Sequence, residues 1–349
     1  MKYRTLGKTN LKISDIGIGT WQLANDPEMW VGGDLEESLR ALDRYVDLGG
    51  NFIDTAWVYG YVGDNQDTLT SEDLIGKYLK QSKNRDNLII ASKVAPKNFM
   101  WPAIKDVPFE EVFPSGYIEK LVNESLTRLG IETIDLMQFH VWQDDWANID
   151  DWKNVIEKLT KQGKVKYWGI SANDYQPSNC LKTLDTGLIS TVQFIFNIFH
   201  QKPTEKLLPY AKINNIGLIA RVPLDEGGLS GAITLEKKFE EGDFRNNYFA
   251  GDRKKELVER TSKLKEIVSQ SDEVESLIEL AIRYILSFDE LSVAIPGMRK
   301  TSYVEQNTSF SDKGKLSNEL LEKLKEHKWE RNFYTGHDAW LASSNFVEA

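Results

Sequence analysis

The sequence predicts a (β/α)8 barrel on three observations. Eight short apolar or β-branched runs recur along the chain, amphipathic helical patterns separate them, and the first run leads into GTWQLAND without the glycine-rich phosphate turn of an open doubly wound sheet. The runs are SDIGIGT (14–20), NFIDTA (51–56), LIIASKV (88–94), IDLMQFH (134–140), YWGIS (167–171), TVQFIF (191–196), GLIAR (217–221) and SVAIP (292–296). Strand followed by helix, repeated around a ring, buries both faces of a parallel sheet.

Ahead of the first strand, KYRTLGKTNLKIS places a GKTN turn between two extended runs, which predicts a small hairpin closing the bottom of the barrel. The clearest helix is GYIEKLVNESLTRLG, where Ile118, Leu121, Val122, Leu126 and Leu129 share one face and Gly130 supplies the stop. SEDLIGKYLK starts on Ser71 as its expected N-cap, with acids in the first turn. Three loops are long, 95–117, 141–151 and 222–255, and loops of such length in a compact domain are usually functional. The first two carry Phe99, Trp101, Phe109, Phe113, Trp142 and Trp146, which either wall a pocket or pack beneath their own loop. Nothing in the composition marks a linker, so the 349 residues read as a single domain.

At 41% hydrophobic and 28% charged, the chain has the composition of a compact soluble protein. Its net charge of −10 argues against nucleic acid and anionic membrane as partners, because both would repel it. The single cysteine, Cys180, cannot form an internal disulfide, and MKYRTLGKTN lacks the apolar core of a signal peptide. These features lead to the expectation of a cytoplasmic protein.

In a barrel the C-terminal strand ends share one rim, where active sites are built. The second strand delivers Asp54 there, with Tyr59 just beyond. The third delivers Lys93 and the fourth His140. Taken singly, each has a plain structural use: a helix cap, a surface ion pair, a hydrogen-bonded core histidine. Together they are an acid, a phenol, an ammonium and an imidazole at one rim. A lysine at the end of LIIAS needs compensation for its desolvation, and Asp54 on the neighbouring strand is the obvious source. The same ammonium beside Tyr59 is expected to lower the phenol from about 10 toward the working pH. Tyr59 then serves as a proton donor to a carbonyl oxygen becoming negative, with His140 orienting that oxygen.

These residues sit within a longer likeness. YRTLGKTNLKISDIGIGTWQLA, FIDTAWVYG followed by SEDLIGKYL, ASKV, ESLTRLGIETIDLMQFH, KQGKVKYWGISAND and IPGMRKTSYVEQN occur in an order that resembles the aldo-keto reductases. These are barrel oxidoreductases that use a nicotinamide coenzyme without a Rossmann domain. The likeness covers about residues 2 to 310, leaving 311–349 as a C-terminal helix and tail.

The resemblance implies a catalytic tetrad of Asp54, Tyr59, Lys93 and His140, with Tyr59 as general acid in the reduction of an aldehyde or ketone, sugar-like carbonyls included. It places the nicotinamide amide against Ser171, Asn173 and Gln193, with Gly19, Thr20 and Trp21 lining the cavity and Asp54 near the ribose. Arg221 stands where many relatives stack an aromatic ring on the nicotinamide. The following Pro223, Leu224, Gly228, Leu229 and Ser230 correspond to the loop over the pyrophosphate. In the last motif, Gly297 and Tyr303 replace a lysine and an arginine of some relatives, but Arg299 and Lys300 follow Pro296 in the same turn. If both reach a 2′-phosphate, charge-assisted bonds of about 1.5–3 kcal/mol each favour NADP(H) over NAD(H), the alternative. Gln306 and Asn307 correspond to adenine contacts.

Trp21, Trp57, Tyr61, Trp101 and Trp142 are the candidate substrate-lining residues, and the aromatic tail RNFYTGHDAWLASSNFVEA either covers the mouth or meets another subunit. A small-molecule carbonyl or alcohol is the expected partner, and the sequence leaves the oligomeric state open. Two other functions compete with this one. A metal-dependent barrel hydrolase needs clustered ligands, and His140, His200, His327 and His337 are unpaired, so no metal is expected. A coenzyme-binding regulatory protein keeps the same barrel with little turnover.

Overall fold

The structure is a computed structural model that describes residues 1–24, 29–61, 63, 69–82 and 84–329. An antiparallel hairpin of β1 (Tyr3–Thr5) and β2 (Lys12–Ser14) precedes eight parallel strands: β3 (Ile18–Gly19), β4 (Phe52–Asp54), β5 (Ile89–Val94), β6 (Ile134–Phe139), β7 (Val165–Ser171), β8 (Thr191–Ile195), β9 (Gly217–Arg221) and β10 (Val293–Ala294). The eight pair in sequence order, and bridges Ile16↔Ala294 and Gly19↔Gly297 join the first to the last. Every expected strand is present, and the sheet curls as in a (β/α)8 barrel.

The register sets the rim. Gly19 faces Asp54, Asp54 faces Ala91, Lys93 faces Gln138 and Ser171 faces Gln193, so side chains from five strands reach one level. At the other end the hairpin plugs the barrel. Leu6 and Ile13, both fully buried, pack with Phe52, Ile89, Leu136, Ile219 and Val293.

Helices cover the outside through their apolar faces. In Ser115–Leu129, Ile118, Leu121, Val122 and Leu129 are buried, and Gly130 closes the helix at φ 64°. The helix Ser71–Gln81 is capped one residue earlier than its sequence suggests. Thr70 accepts from the Asp73 N–H while the Asp73 carboxylate takes the Thr70 N–H, a reciprocal capping box. Ser71 is thereby released to bond inward to Thr20.

Two other expectations change. The run 14–20 is not one strand: Ser14 ends the hairpin, Ile16 makes a single bridge to Ala294 and Ile18–Gly19 forms the barrel strand, while Asp15 between hairpin and barrel accepts from the Ser311 hydroxyl. The long loops also carry structure of their own. Phe109–Val112, Asp144–Asn148, Asp225–Ser230 and Arg245–Tyr248 form short helical turns, and the helix Arg253–Ser269 begins inside the third loop. The tail at 331–349 lies outside the described residues. Among the described residues no helix is long and apolar enough to cross a membrane.

Candidate active site

Period-2 alternation points Asp54 and Lys93 into the barrel from adjacent strands. The Lys93 ammonium is fully buried and spends its three donors on three oxygens: Asp54 Oδ1 at 2.6 Å, the Thr55 carbonyl at 2.8 Å and Tyr59 Oη at 3.3 Å. The second Asp54 oxygen accepts from Gln193 Nε2 at 2.7 Å and Gln138 Nε2 at 3.3 Å. This is the arrangement that makes a buried ion pair tolerable, with each charge compensated and its remaining hydrogen-bonding capacity used. Burial alone would pull Lys93 below the usual lysine range, but Asp54 and Tyr59 outweigh it and hold the ammonium above that range.

Tyr59 lies between two rings, stacked on Trp21 at 5.8 Å and edge-on to His140 at 5.7 Å. Its phenol departs from the expectation. Burial pushes it above the ordinary tyrosine range, Asp54 adds to the rise, and the cations Lys93 and Arg221 oppose without reversing it. Desolvation of the phenolate outweighs the neighbouring ammonium, so Tyr59 rests as a protonated donor. His140 goes the other way: burial, then Lys93 and Arg221, holds its imidazole well below the usual histidine range. It is neutral, and its buried Nδ1 has no hydrogen-bond partner among the described residues. A neutral imidazole edge-on to a phenol donor is suited to orient an oxygen held between them.

Comparison with known proteins places the chain in a family. The profile of the Aldo/keto reductase family matches residues 15–328. The chain belongs to the aldo/keto reductase family. Aldo-keto reductase YhdN from Bacillus subtilis is 31% identical over 307 residues, 87% of each chain. Among solved structures, the holo form of aldo-keto reductase AKR11C1 from Bacillus halodurans has a TM-score of 0.71 at 26% identity, covering 97% of this chain and 99% of that one. Glycerol dehydrogenase AKR11B4 from Gluconobacter oxydans has a TM-score of 0.72 at 26% identity, covering 93% and 94%. Other relatives are named for NADP(+) or as NADH-specific. The protein is therefore an oxidoreductase of the NAD(P)-dependent kind.

In this aldo-keto reductase the residues assigned to the coenzyme fall into three groups. At the rim, Ser171 and Gln193 are buried at adjacent strand ends. Thr20 is turned inward, donating to the Asp54 carbonyl. The Asn173 amide is already engaged: its oxygen accepts from the Ala103 and Trp142 N–H groups, and its nitrogen donates to the Ala103 carbonyl and Gln176. Arg221 donates to Asp174 and to the Ala172 carbonyl, and its charge is felt at Tyr59 and His140.

In the second group, Pro223 and Leu224 lead into the turn Asp225–Ser230. The backbone is left-handed at Val222 (φ 54°), ahead of Pro223, and within the turn at Asp225 (φ 51°), Glu226 (φ 52°) and Gly227. Gly228 and Leu229 are buried, and the Ser230 hydroxyl closes the turn on the Gly227 carbonyl. A Cβ on Gly228 would lie 2.5 Å from Asp225 Oδ2. In the third, Pro296 leads to Gly297, where a Cβ would lie 2.5 Å from the Gln22 side chain. Arg299 donates to the Val31 carbonyl at 2.9 Å, and Lys300 is exposed, its ammonium 5.8 Å from the Tyr303 ring. Gln306 is exposed and Asn307 buried. An exposed ammonium, a close-packed glycine turn and buried amide groups at the rim fit a dinucleotide.

The aromatic candidates divide. Trp21 and Trp101 flank Tyr59 and His140, Trp101 lying edge-on to His140 at 5.7 Å. Phe99, 47% exposed, bridges Trp101 and Tyr61. Trp57 is nearly buried, its ring under the Arg128 guanidinium and its N–H given to Glu124. Trp142 cannot line the mouth. It is fully buried against Phe139, Trp146 and Trp152, with its N–H on Thr183, so its aromaticity serves the core. Phe109, Phe113 and Trp146 share that core.

Sequence reasoning missed Gln138 as a support of Asp54. The signal was there, since Gln138 shares a strand face with His140 in a strand buried along its whole length. It also missed Trp30 and Phe244, which extend the aromatic surface behind Trp21 from distant segments. Among the described residues no three His, Cys, Asp or Glu are grouped to hold a metal ion.

Proposed function

We propose that this protein reduces an aldehyde or ketone to its alcohol with NADPH, with Tyr59 as the general acid. The observation that carries the reading is Lys93 Nζ bonded to both Asp54 and Tyr59 Oη, with the His140 ring edge-on to the phenol. The coenzyme supplies the hydride to the carbonyl carbon. Tyr59 Oη delivers a proton to the carbonyl oxygen, Lys93 stabilises the phenolate left behind, and His140 holds the oxygen in line. Asp54 keeps Lys93 charged, and the Gln193 and Gln138 amides hold the Asp54 carboxylate in place. Exposed Lys300 is the first contact for a 2′-phosphate. Arg299, with one nitrogen given to the Val31 carbonyl, keeps its other donors to join it.

The substrate side favours flat, aromatic carbonyls over sugars. Trp21, Trp101, Phe99 and Tyr61 present ring faces and edges, while the nearby Glu124 carboxylate is committed to Trp57. The test is NADPH oxidation with purified protein against aromatic aldehydes, ketones and sugars. Turnover should be fastest with the aromatic aldehydes. Tyr59→Phe should lower kcat by about 10²–10⁴ while NADPH binding persists. Coenzyme binding without turnover of any carbonyl would instead support a regulatory protein.

A further inference from the structure

Behind the Tyr59 segment lies a second ion pair, its carboxylate buried and its guanidinium partly so, that the carbonyl chemistry does not use. Glu72 is fully buried. Its Oε1 accepts from the Ser92 hydroxyl at 2.6 Å, and its Oε2 lies 3.5 Å from Arg128 Nη1. The same Nη1 donates to the Trp57 carbonyl at 2.9 Å, and the guanidinium sits 4.9 Å from the Trp57 ring centre. On the other side of the tyrosine, the Ser71 N–H, next to Glu72, donates to the Tyr59 carbonyl at 2.9 Å.

Strand β5 is held from the same place. Ser92 faces outward to Glu72 while Lys93, one residue on, faces inward, and the Lys93 carbonyl accepts from the Trp57 N–H at 3.2 Å. We infer that Arg128 and Glu72 are positioning residues for the acid: they fix the backbone on both sides of Tyr59 against the strand that carries Lys93, and so set the phenol on the ammonium. This inference rests on the reading of Tyr59 as general acid.

Two features separate this arrangement from generic core packing. Apolar side chains of similar volume often serve stability as well as a buried ion pair or better, so the charges call for another use. In addition, the two helices are brought together at the one point where Arg128 can reach. A Cβ on Gly76 would lie 2.1 Å from the Arg128 carbonyl, so only glycine permits that approach. Planarity matters as well, because one guanidinium both stacks on Trp57 and donates to its carbonyl.

The test compares Arg128→Met, Arg128→Lys and Glu72→Gln with the wild type. Ring-13C-tyrosine NMR follows Tyr59, assigned by the signal lost in Tyr59→Phe; NADPH affinity and the kcat and KM for 4-nitrobenzaldehyde complete the set. In Arg128→Met the Tyr59 resonance should shift and titrate at higher pH as Lys93 is lost. Its kcat should fall at least tenfold, with KM and the NADPH Kd within about twofold. Arg128→Lys, which keeps a donor for the Trp57 carbonyl, should recover most of both effects. An unchanged Tyr59 signal and unchanged kcat per NADPH-binding site in Arg128→Met would overturn the inference, even with a lowered Tm. If Arg128→Met does not fold, Glu72→Gln must show the same pattern at smaller size, and an unchanged Tyr59 signal there is equally fatal. Should the wild type turn over no carbonyl, the proposed activity fails, yet the NMR comparison still decides whether Arg128 positions Tyr59.

Discussion

At the scale of single residues, the decisive quantity is which way each ionisable group is pushed. For carbonyl reduction the working form of Tyr59 is the neutral phenol. Because burial raises that phenol above its ordinary value of 10, the donor stays loaded through neutral pH and is lost only as pH climbs through the raised value. The His140 imidazole, held well below 6.5, gains no proton near neutrality and contributes no acid limb there. The kcat of reduction should therefore be flat from about pH 6 to 9 and decline only in alkali, whereas alcohol oxidation, which needs the phenolate, should rise with pH. Steady-state pH profiles in both directions check this, and a reduction profile falling between pH 6 and 8 would contradict it. Lys93→Met makes a complementary case. It strands a carboxylate that is 2% exposed and retains only amide donors, so unfolding free energy should drop by about 3–5 kcal/mol in urea titration, together with a large loss of kcat.

At the scale of elements, what the sequence reveals depends on whether a residue acts along its own strand or through a partner far away. Asp54, Lys93 and His140 end apolar runs, so alternation and barrel topology already place them on one rim, and Tyr59 follows from its distance past Asp54. The tyrosine's resting charge was not legible, because it depends on how much water three dimensions leave around the ring. Trp142 was misplaced for a related reason: an aromatic in a long loop looks the same whether it faces a cleft or, as here, closes over Phe139 and Trp152. The Ser71 cap was off by one, since both Thr70 and Ser71 can cap and only the inward bond to Thr20 tells them apart. That cap matters beyond its helix, as Ser71 N–H holds the Tyr59 carbonyl. Thr70→Ala removes the side-chain half of the capping box and should cost about 1 kcal/mol, read as a shift in the urea midpoint without a change in slope.

At the scale of the whole molecule, the barrel separates stability from chemistry along its axis. Charged and polar side chains of five strands meet at the C-terminal rim, while the opposite end is sealed by the β1–β2 hairpin. Leu6 is the centre of that seal. It is fully buried, and it lies so close to β9 that a Cβ on Gly217 would come within 2.7 Å of its Cδ1. With backbone pressed against it on that side and the strand side chains Phe52, Leu136 and Ile219 on the others, the space left by a truncation has little room to collapse. Leu6→Ala should therefore fall within the range of about 2–5 kcal/mol seen for buried leucines. Its kcat per folded molecule should be that of the wild type, because the Asp54–Lys93–Tyr59 bonds are made at the far rim. Urea unfolding and kcat measured on the same preparation check both halves. A matching loss of kcat at temperatures well below the midpoint would show that the plug and the rim are coupled through the strands rather than independent.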